Sequence, residues 1–92
     1  MPDAKLTLPK KKKIVYVEWE DASAYHRWET VEQVTRTPHL CRSVGVLLER
    51  SDAGIVLAAA WCDSNQTVGS TQFIPASCVT RVVKLGEAKP RE

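Results

Sequence analysis

The stretch of sequence that decides the fold is CRSVGVLLERSDAGIVLAAAW, residues Cys41–Trp61. It contains two apolar runs, one ending at Leu48 and one beginning at Ile55, with a turn-forming segment, Ser51–Gly54, between them. Aliphatic runs on either side of a turn with aspartate and glycine predict a β-hairpin, because glycine readily adopts a positive φ. Both runs are too apolar for strands with one face in water. We therefore expect both faces to contact protein, in a small barrel or at a subunit interface.

The rest of the chain predicts three more strands and one short helix. Alternating apolar residues indicate a half-buried strand over Ile14–Asp21, whose buried face carries Val15, Val17 and Trp19. A short helix is expected over Val31–Arg36, ending before Pro38. After the hairpin we expect a polar loop Cys62–Ser70, a strand Thr71–Ile74, a tight turn Pro75–Cys78 and a strand Val79–Leu85.

These segments predict a mainly β fold, a small five-stranded antiparallel barrel with one short helix in the excursion between the first two strands. Residues 14–85 would form the barrel domain, between a flexible basic arm over residues 1–13 and a C-terminal tail over residues 86–92. A chain of 92 residues makes one domain that buries only roughly 60–65% of its unfolded surface, so self-association would stabilise it.

Positive charge is concentrated at the start of the chain. Residues 1–13 hold five lysines and one aspartate, a net charge of +4, whereas residues 14–92 hold eight basic and ten acidic residues, a net charge of −2. A mildly acidic body argues against long nucleic acid as the main ligand. The run Lys10–Lys13 is interpreted either as a solubilising tail or as an arm that binds nucleic acid or an acidic partner.

The residues that catalysis or metal binding would need are sparse. The cysteines form no C-x-x-C pair and neither histidine has ligand spacing. We therefore predict no metal, no cofactor and three buried reduced thiols, Cys41, Cys62 and Cys78. No phosphate-binding loop, nucleophile elbow or zinc-protease motif occurs, which predicts a protein that is not an enzyme. No apolar run approaches the roughly 20 residues of a membrane span, so we expect no membrane association and a cytoplasmic location.

The segment Phe73–Val82, FIPASCVTRV, resembles the last two strands of SH3-like barrels, which are joined by a one-turn 3-10 corner. Together with the hairpin, it is most similar to the Sm-like (LSm/Hfq-type) branch of these barrels. The first Sm-like motif has a glycine, an aliphatic residue, an aspartate near the turn and a leucine, and the second has three spaced apolar residues. The matching positions here are Gly45, Leu47, Asp52, Leu57, Ile74, Val79 and Val82.

The resemblance extends to the apolar framework residues of the family but not to its RNA-binding residues. Asp52 lies one position later than in the family, the asparagine that should follow it is absent, and Pro75-Ala76 replaces an Arg-Gly pair. The chain also resembles small proteins of tailed phages, through Trp19, Asp21, Ser43-Val44-Gly45 and Ile74-Pro75. Sm-like proteins close into rings by pairing edge strands between subunits, so the resemblance implies a cyclic homo-oligomer.

The resemblance implies a non-enzymatic homo-oligomer of phage origin, in the host cytoplasm, that binds RNA or a small nucleotide at its subunit junctions. The candidate ligand-binding residues are cationic, amide-bearing or aromatic: Tyr25, His26, Arg27, Trp28, Arg42, Arg50, Asn65, Gln66 and Arg81. The alanine-rich strand gives the candidate oligomer interface, because small side chains let a second chain approach closely; its residues are Val56, Ala58 and Ala60.

A second interpretation is a protein–protein interaction module that binds or inhibits a host factor. It would use the aromatic and cationic cluster Tyr25–Trp28 and the polar loop Cys62–Ser70. The same cluster could instead only cover one end of the barrel. A signalling SH3 domain is a nearby alternative to the Sm-like barrel, but its peptide groove needs paired tryptophans and a first loop rich in aromatic residues.

Overall fold

The computed structural model describes residues 8–21, 30–33 and 39–89, and the strands in this part of the chain form one antiparallel sheet. The five strands are β1 (Lys12–Asp21), β2 (His39–Arg50), β3 (Gly54–Cys62), β4 (Thr67–Pro75) and β5 (Val79–Ala88). Two 3-10 turns accompany them, Val31–Gln33 and Ala76–Cys78. The predicted mainly β fold with five antiparallel strands is confirmed.

The strand order in the sheet is β4-β3-β2-β1-β5, so the two outermost strands are consecutive in the chain. Only the 3-10 turn Ala76–Cys78 joins them, which requires the sheet to curl until its two sides meet at this corner. In the described part of the chain, no strand pairs with the outer edge of β4 or β5. The sheet is therefore open between these strands, and the predicted closed barrel is not confirmed.

Strand β2 is shared between the two halves of the sheet. It pairs with β1 from His39 to Val46 and with β3 from Val46 to Arg50. The change of partner occurs next to Gly45, where an added Cβ would lie 2.9 Å from the carbonyl oxygen of Ala58. A glycine is needed here because β3 passes too close to the β2 backbone for any side chain.

The core lies on the concave side of the sheet and contains Val15, Val17, Ile55, Leu57 and Ile74, all buried. The partly buried side chains of Trp19, Leu47, Cys78, Val79 and Val82 pack against it. The alternation predicted for β1 is confirmed. Each fully buried aliphatic side chain contributes roughly 1.5–3 kcal/mol, so this small cluster is the main source of stability.

The turn of the central hairpin, Ser51–Gly54, is closed by two backbone hydrogen bonds. Ser51 donates to the Gly54 carbonyl at 2.9 Å, and Gly54 donates to the Ser51 carbonyl at 3.2 Å. A third bond, from the Ala76 N–H to the Ala53 carbonyl at 3.0 Å, ties the turn to the corner between β4 and β5. Gly54 has the positive φ that the sequence predicts, 152°, and an added Cβ would overlap the carbonyl oxygen of Ile74.

Three predicted boundaries differ from the structure. Strand β1 begins at Lys12 rather than Ile14, and β5 continues to Ala88, because Lys12 pairs with Ala88. The polar loop predicted over Cys62–Ser70 shrinks to four turn residues, since Cys62 already pairs with Thr67. These extensions show no alternation of apolar and polar residues, so a hydrophobic pattern could not reveal them.

Exposure also corrects several predictions. Val44 is 59% exposed, so the hairpin is not covered on both faces by its own chain. Leu85, the last residue of the strand predicted over Val79–Leu85, is 57% exposed and lies outside the core. The thiol of Cys62 is exposed and the other two are half-buried, so the prediction of three buried thiols is wrong, and all three cysteines are free. Where a helix was predicted over Val31–Arg36, the structure has the 3-10 turn Val31–Gln33, and residues 34–36 lie outside the described part.

Candidate functional site

The structure distributes the predicted ligand-binding residues over separate places. Tyr25, His26, Arg27 and Trp28 lie outside the described residues. Arg42 and Arg81 lie on the convex face of the sheet, and Arg50 lies at the end of β2, beside the turn of the central hairpin. Asn65 and Gln66 lie in the turn between β3 and β4. The predicted ligand-binding residues that the structure describes therefore do not form a single site. Asn65 and Gln66 share one turn, and Arg42 and Arg81 flank Glu18 from the two strands that neighbour β1.

One concave surface in the described part is a groove of about 570 Å³, a volume typical of sites for one small molecule. Its lining residues are Leu8, Pro9, Lys10, Lys12, Trp61, Asp63, Gln66, Ala88 and Lys89. We name it the Lys12–Trp61 groove. The sheet assembles it by pairing the start of β1 with the end of β5, next to the turn that follows β3.

Lys12 is the most constrained side chain of the groove. It is a charged residue that is only 8% exposed, and its Nζ atom lies 5.9 Å from the ring centroid of Trp61. Nζ donates a hydrogen bond to the Lys10 carbonyl oxygen at 3.3 Å and lies 3.7 Å from Oδ1 of Asp63. A buried ammonium needs such partners, because desolvation without them is costly. The indole face and the two oxygens together hold the cation at a fixed position.

The groove concentrates the positive charge of the N-terminal run. Lys10, Lys12 and Lys89 line it, against the single carboxylate of Asp63. The interpretation of residues 1–13 as an arm is therefore incomplete, since Lys12 belongs to a paired strand and is buried. The alternation in the sequence did not predict this burial, because Lys12 has the parity of Tyr16 and Glu18 rather than that of the buried Val15 and Val17. The structure has a register shift between Ile14 and Val15, which interrupts the alternation before Lys12 is reached.

The turn between β3 and β4 shapes the other wall of the groove. The side-chain amide of Gln66 donates to the backbone carbonyl of Asp63 at 2.9 Å, and the Thr67 hydroxyl donates to Oδ1 of Asn65 at 2.6 Å. Gln66 has a positive φ of 54°. Of the predicted ligand-binding residues that the structure describes, Gln66 is the one that lines the groove. Lys10 and Lys12 belong to the run that was interpreted as a solubilising tail or a binding arm, whereas Trp61 and Lys89 were not predicted.

A second polar surface, which we name the Glu18 cluster, lies on the convex face and comprises Tyr16, Glu18, Arg42 and Arg81. Arg42 and Arg81 are the register partners of Glu18 on β2 and β5. Oε1 of Glu18 accepts hydrogen bonds from the Tyr16 hydroxyl at 2.8 Å and from Arg81 at 3.3 Å. The bond to Glu18 raises the pKa of Tyr16, because losing the proton would place two negative charges side by side; nearby Arg42 and Arg81 oppose this effect. Exposed Val44 lies beside the cluster.

The predicted oligomer interface lies on a central strand. Both neighbours of β3 are occupied, by β2 and β4, so its backbone has no free edge. Ala58 is only 1% exposed and offers no surface to a second chain, whereas Val56 is half-buried and Ala60 is exposed. An interface between copies at this strand would have to use Val56 and Ala60. This interface stays a prediction.

Two other observations bear on the chemistry. Within residues 8–21, 30–33 and 39–89, no three His, Cys, Asp or Glu side chains come together as possible metal ligands. The helical segments in the same ranges are single turns, none long and apolar enough to cross a membrane. A smaller hollow of about 380 Å³, beside Arg50, Asp52 and Gly54, lies at the opposite end of β3 from the groove.

A scan of protein-family models, a search of curated proteins and a search of solved structures each returned no match to this chain.

Proposed function

We propose that the chain is a non-enzymatic SH3-like barrel protein of the Sm-like type that binds RNA or a small nucleotide in the Lys12–Trp61 groove. The observation that carries this proposal is the Lys12 ammonium held over the Trp61 ring at 5.9 Å, inside a groove of about 570 Å³. A nucleotide has a flat base that stacks on an aromatic ring and a phosphate that pairs with lysine, so the groove contains one group for each part.

The topology supports the barrel type. The strand order β4-β3-β2-β1-β5, with the outermost strands joined by a one-turn 3-10 corner, is the arrangement that the resemblance to Sm-like barrels implies. The change of partner along β2 next to Gly45 is consistent with this arrangement, because one strand then serves both halves of a curled sheet. The sequence lacks the asparagine of the family's uracil pocket, so we assign the ligand to the Lys12–Trp61 groove rather than to the smaller hollow beside Asp52.

The unpaired edges of the sheet support self-association. Strands β4 and β5 each have one edge without a strand partner in the described ranges, and Phe73 on β4 is exposed. Pairing β4 of one copy with β5 of the next would cover both edges and generate a ring. Gln66 precedes β4 and Lys89 follows β5, so the groove would lie near such a junction. Light scattering on a sizing column tests this, and a monomer at micromolar concentration would contradict it.

The binding proposal is tested by titrating the protein with single-stranded RNA and nucleoside monophosphates while following thermal stability and tryptophan fluorescence. Lys12→Gln should weaken binding at least several-fold, whereas Lys11→Gln, the same change at an exposed neighbour outside the groove, should leave it unchanged. With three lysines at the phosphates, log K for RNA should fall with log salt at a slope of about −2. Equal effects of the two substitutions, or no binding by the wild type, would contradict the proposal.

The Glu18 cluster supports a second candidate function, a protein–protein interaction module that binds a host factor. The cluster presents two arginines beside the exposed apolar side chains of Leu40 and Val44, a combination enriched in protein interfaces. Arg42→Ala with Val44→Ser should then abolish capture of a host protein without changing nucleotide binding. Capture that survives this double substitution would exclude the convex face as the binding surface.

A further inference from the structure

We infer that the groove binds a mononucleotide through a terminal phosphate, and that Asp63 is a built-in competitor whose carboxylate the phosphate displaces from Lys12. This inference rests on the proposed function and specifies the ligand class and the regulation of the same groove. Three observations carry it: the size of the groove, its charge balance and the unequal anchoring of the two members of the ion pair.

The size of the groove fits one nucleotide. A volume of about 570 Å³ with one aromatic ring, Trp61, offers a single stacking platform. Proteins that track a single strand use a longer basic groove with successive aromatic side chains, one for each base. Because Trp61 is the one aromatic residue among the described residues of the lining, this part of the groove offers a place for one base and the phosphate attached to it.

The charges of the described groove residues, with Asp63 included, match those of a phosphate monoester. Among these residues Lys10, Lys12 and Lys89 supply three positive charges and Asp63 one negative charge, which gives a net charge of +2. A phosphate monoester carries a charge of about −1.5 to −2 at neutral pH, whereas an internal phosphodiester of RNA carries one negative charge. The groove is therefore better matched to a terminal phosphate than to a backbone phosphate.

The ion pair between Lys12 and Asp63 is anchored on one side only. The Lys12 side chain is 10% exposed and is held by the Trp61 ring and the Lys10 carbonyl, whereas the Asp63 side chain is 72% exposed. The separation of 3.7 Å is longer than a hydrogen bond, so the carboxylate contributes weak, screened attraction. Gln66 holds the backbone carbonyl of Asp63, which leaves the carboxylate itself to rotate away without unfolding the turn.

The test is calorimetric titration of the full chain with adenosine 5′-monophosphate, using Asp63→Asn and, as a matched control, Asp52→Asn. Asp52 is an exposed aspartate in the turn at the opposite end of β3, so its substitution makes the same change in net charge away from the groove. We expect Asp63→Asn to tighten binding about two- to fivefold, the worth of one exposed ion pair, and Asp52→Asn to leave the affinity unchanged.

Three further ligands separate the parts of the inference. With adenosine, which lacks phosphate, Asp63→Asn should have no effect. Inorganic phosphate alone should bind more weakly than the nucleotide, because it lacks the base that stacks on Trp61. A dinucleoside monophosphate, with only an internal phosphodiester, should bind more weakly than the monophosphate. Affinity for the monophosphate should also rise between about pH 5 and pH 7, as the phosphate loses its second proton.

The outcomes distinguish this inference from the proposed function. If RNA binds in a Lys12-dependent manner but Asp63→Asn behaves like Asp52→Asn, or the dinucleoside monophosphate binds as tightly as the monophosphate, the inference is overturned and the proposed function stands. If neither RNA nor any nucleotide binds to any variant, both are overturned.

Discussion

The two turns at the ends of β3 differ in how they are held. The turn before β3, Ser51–Gly54, is closed by backbone hydrogen bonds and is tied to the corner between β4 and β5. The turn after β3, residues 63–66, is fully exposed and is held by two side-chain hydrogen bonds. Strand β3 thus connects a turn that backbone hydrogen bonds tie to the neighbouring corner to a turn that is held by the side-chain hydrogen bonds described above.

The difference indicates that the turns at the two ends of β3 have different roles. The turn Ser51–Gly54, which we name the packed turn, fixes the curvature of the sheet, because Gly54 brings the start of β3 against the end of β4. The turn over residues 63–66, which we name the open turn, places Asp63 and Gln66 in the lining of the Lys12–Trp61 groove. A ligand can rearrange these side chains without disturbing the core. Binding residues are commonly found on such exposed turns, which a rigid scaffold positions.

The largest effect is expected from breaking the packed turn with Gly54→Ala. A Cβ at this position would overlap the Ile74 carbonyl and would lie 3.0 Å from the Cα of Pro75, at a φ of 152°. We expect a loss of about 3 kcal/mol in the free energy of unfolding, measured with urea. Gly86→Ala is the control, because nothing lies within 4 Å of its Cβ position, and a comparable loss in both variants would contradict this account.

The next effect concerns the open turn and the ring beside it. Trp61→Ala should lower the affinity for nucleotide about tenfold, because it removes the stacking platform, while Trp61→Phe should retain part of the affinity. Fluorescence anisotropy with a labelled nucleotide measures both. Alanine and phenylalanine variants that bind equally well would show that the ring does not stack on the ligand.

A smaller effect is expected in β4, the strand that leaves the open turn. Ser70 has a φ of 52° and is skipped in the pairing of β4 with β3. Because this conformation costs a residue with a Cβ roughly 1 kcal/mol, Ser70→Gly should raise the free energy of unfolding by about 0.5 kcal/mol. Ser70→Ala removes the hydroxyl but keeps the Cβ, so it should give no gain, and a gain equal to that of glycine would contradict the explanation by backbone strain.

The smallest effect lies away from both turns, at Tyr16. Its pKa is raised by the hydrogen bond to Glu18, so the protonated phenol is favoured in the folded state. The contribution of this hydrogen bond to the stability of the folded state is present below the ordinary tyrosine pKa of about 10. It is lost as the pH rises through the raised pKa of Tyr16. In a Tyr25→Phe background, which leaves Tyr16 as the only tyrosine, Glu18→Gln should lower the pKa read from tyrosinate absorbance. An unchanged pKa would exclude Glu18 as the cause.

The sequence predicted those features that depend on local patterns. The hairpin followed from two apolar runs around Ser51–Gly54, and the corner before β5 followed from Pro75 and its resemblance to SH3-like barrels. The buried face of β1 followed from the alternation around Val17. Each of these predictions needs only residues that are close in the chain.

The groove could not be predicted in the same way. Lys12 and Trp61 meet because β1 pairs with β5 and β3 ends beside them, and periodicity does not specify which strand ends become neighbours. The exposure of Val44 and Leu85 was missed for a related reason. An apolar residue on a strand does not show that its side chain is covered, because apolar atoms make up a large share of the surface of folded proteins.

The most direct test of the central claim is a nitrogen–proton correlation spectrum of the indole groups during titration with adenosine 5′-monophosphate. Trp19 is an internal reference, because its Nε1 donates to the Ser43 hydroxyl at 2.9 Å and its ring packs against the core. We predict that the Trp61 indole resonance, assigned with Trp61→Phe, shifts in a saturable manner while that of Trp19 does not. A saturable shift of Trp19 with Trp61 unchanged, or no shift of either, would contradict the claim that the Lys12–Trp61 groove binds nucleotide.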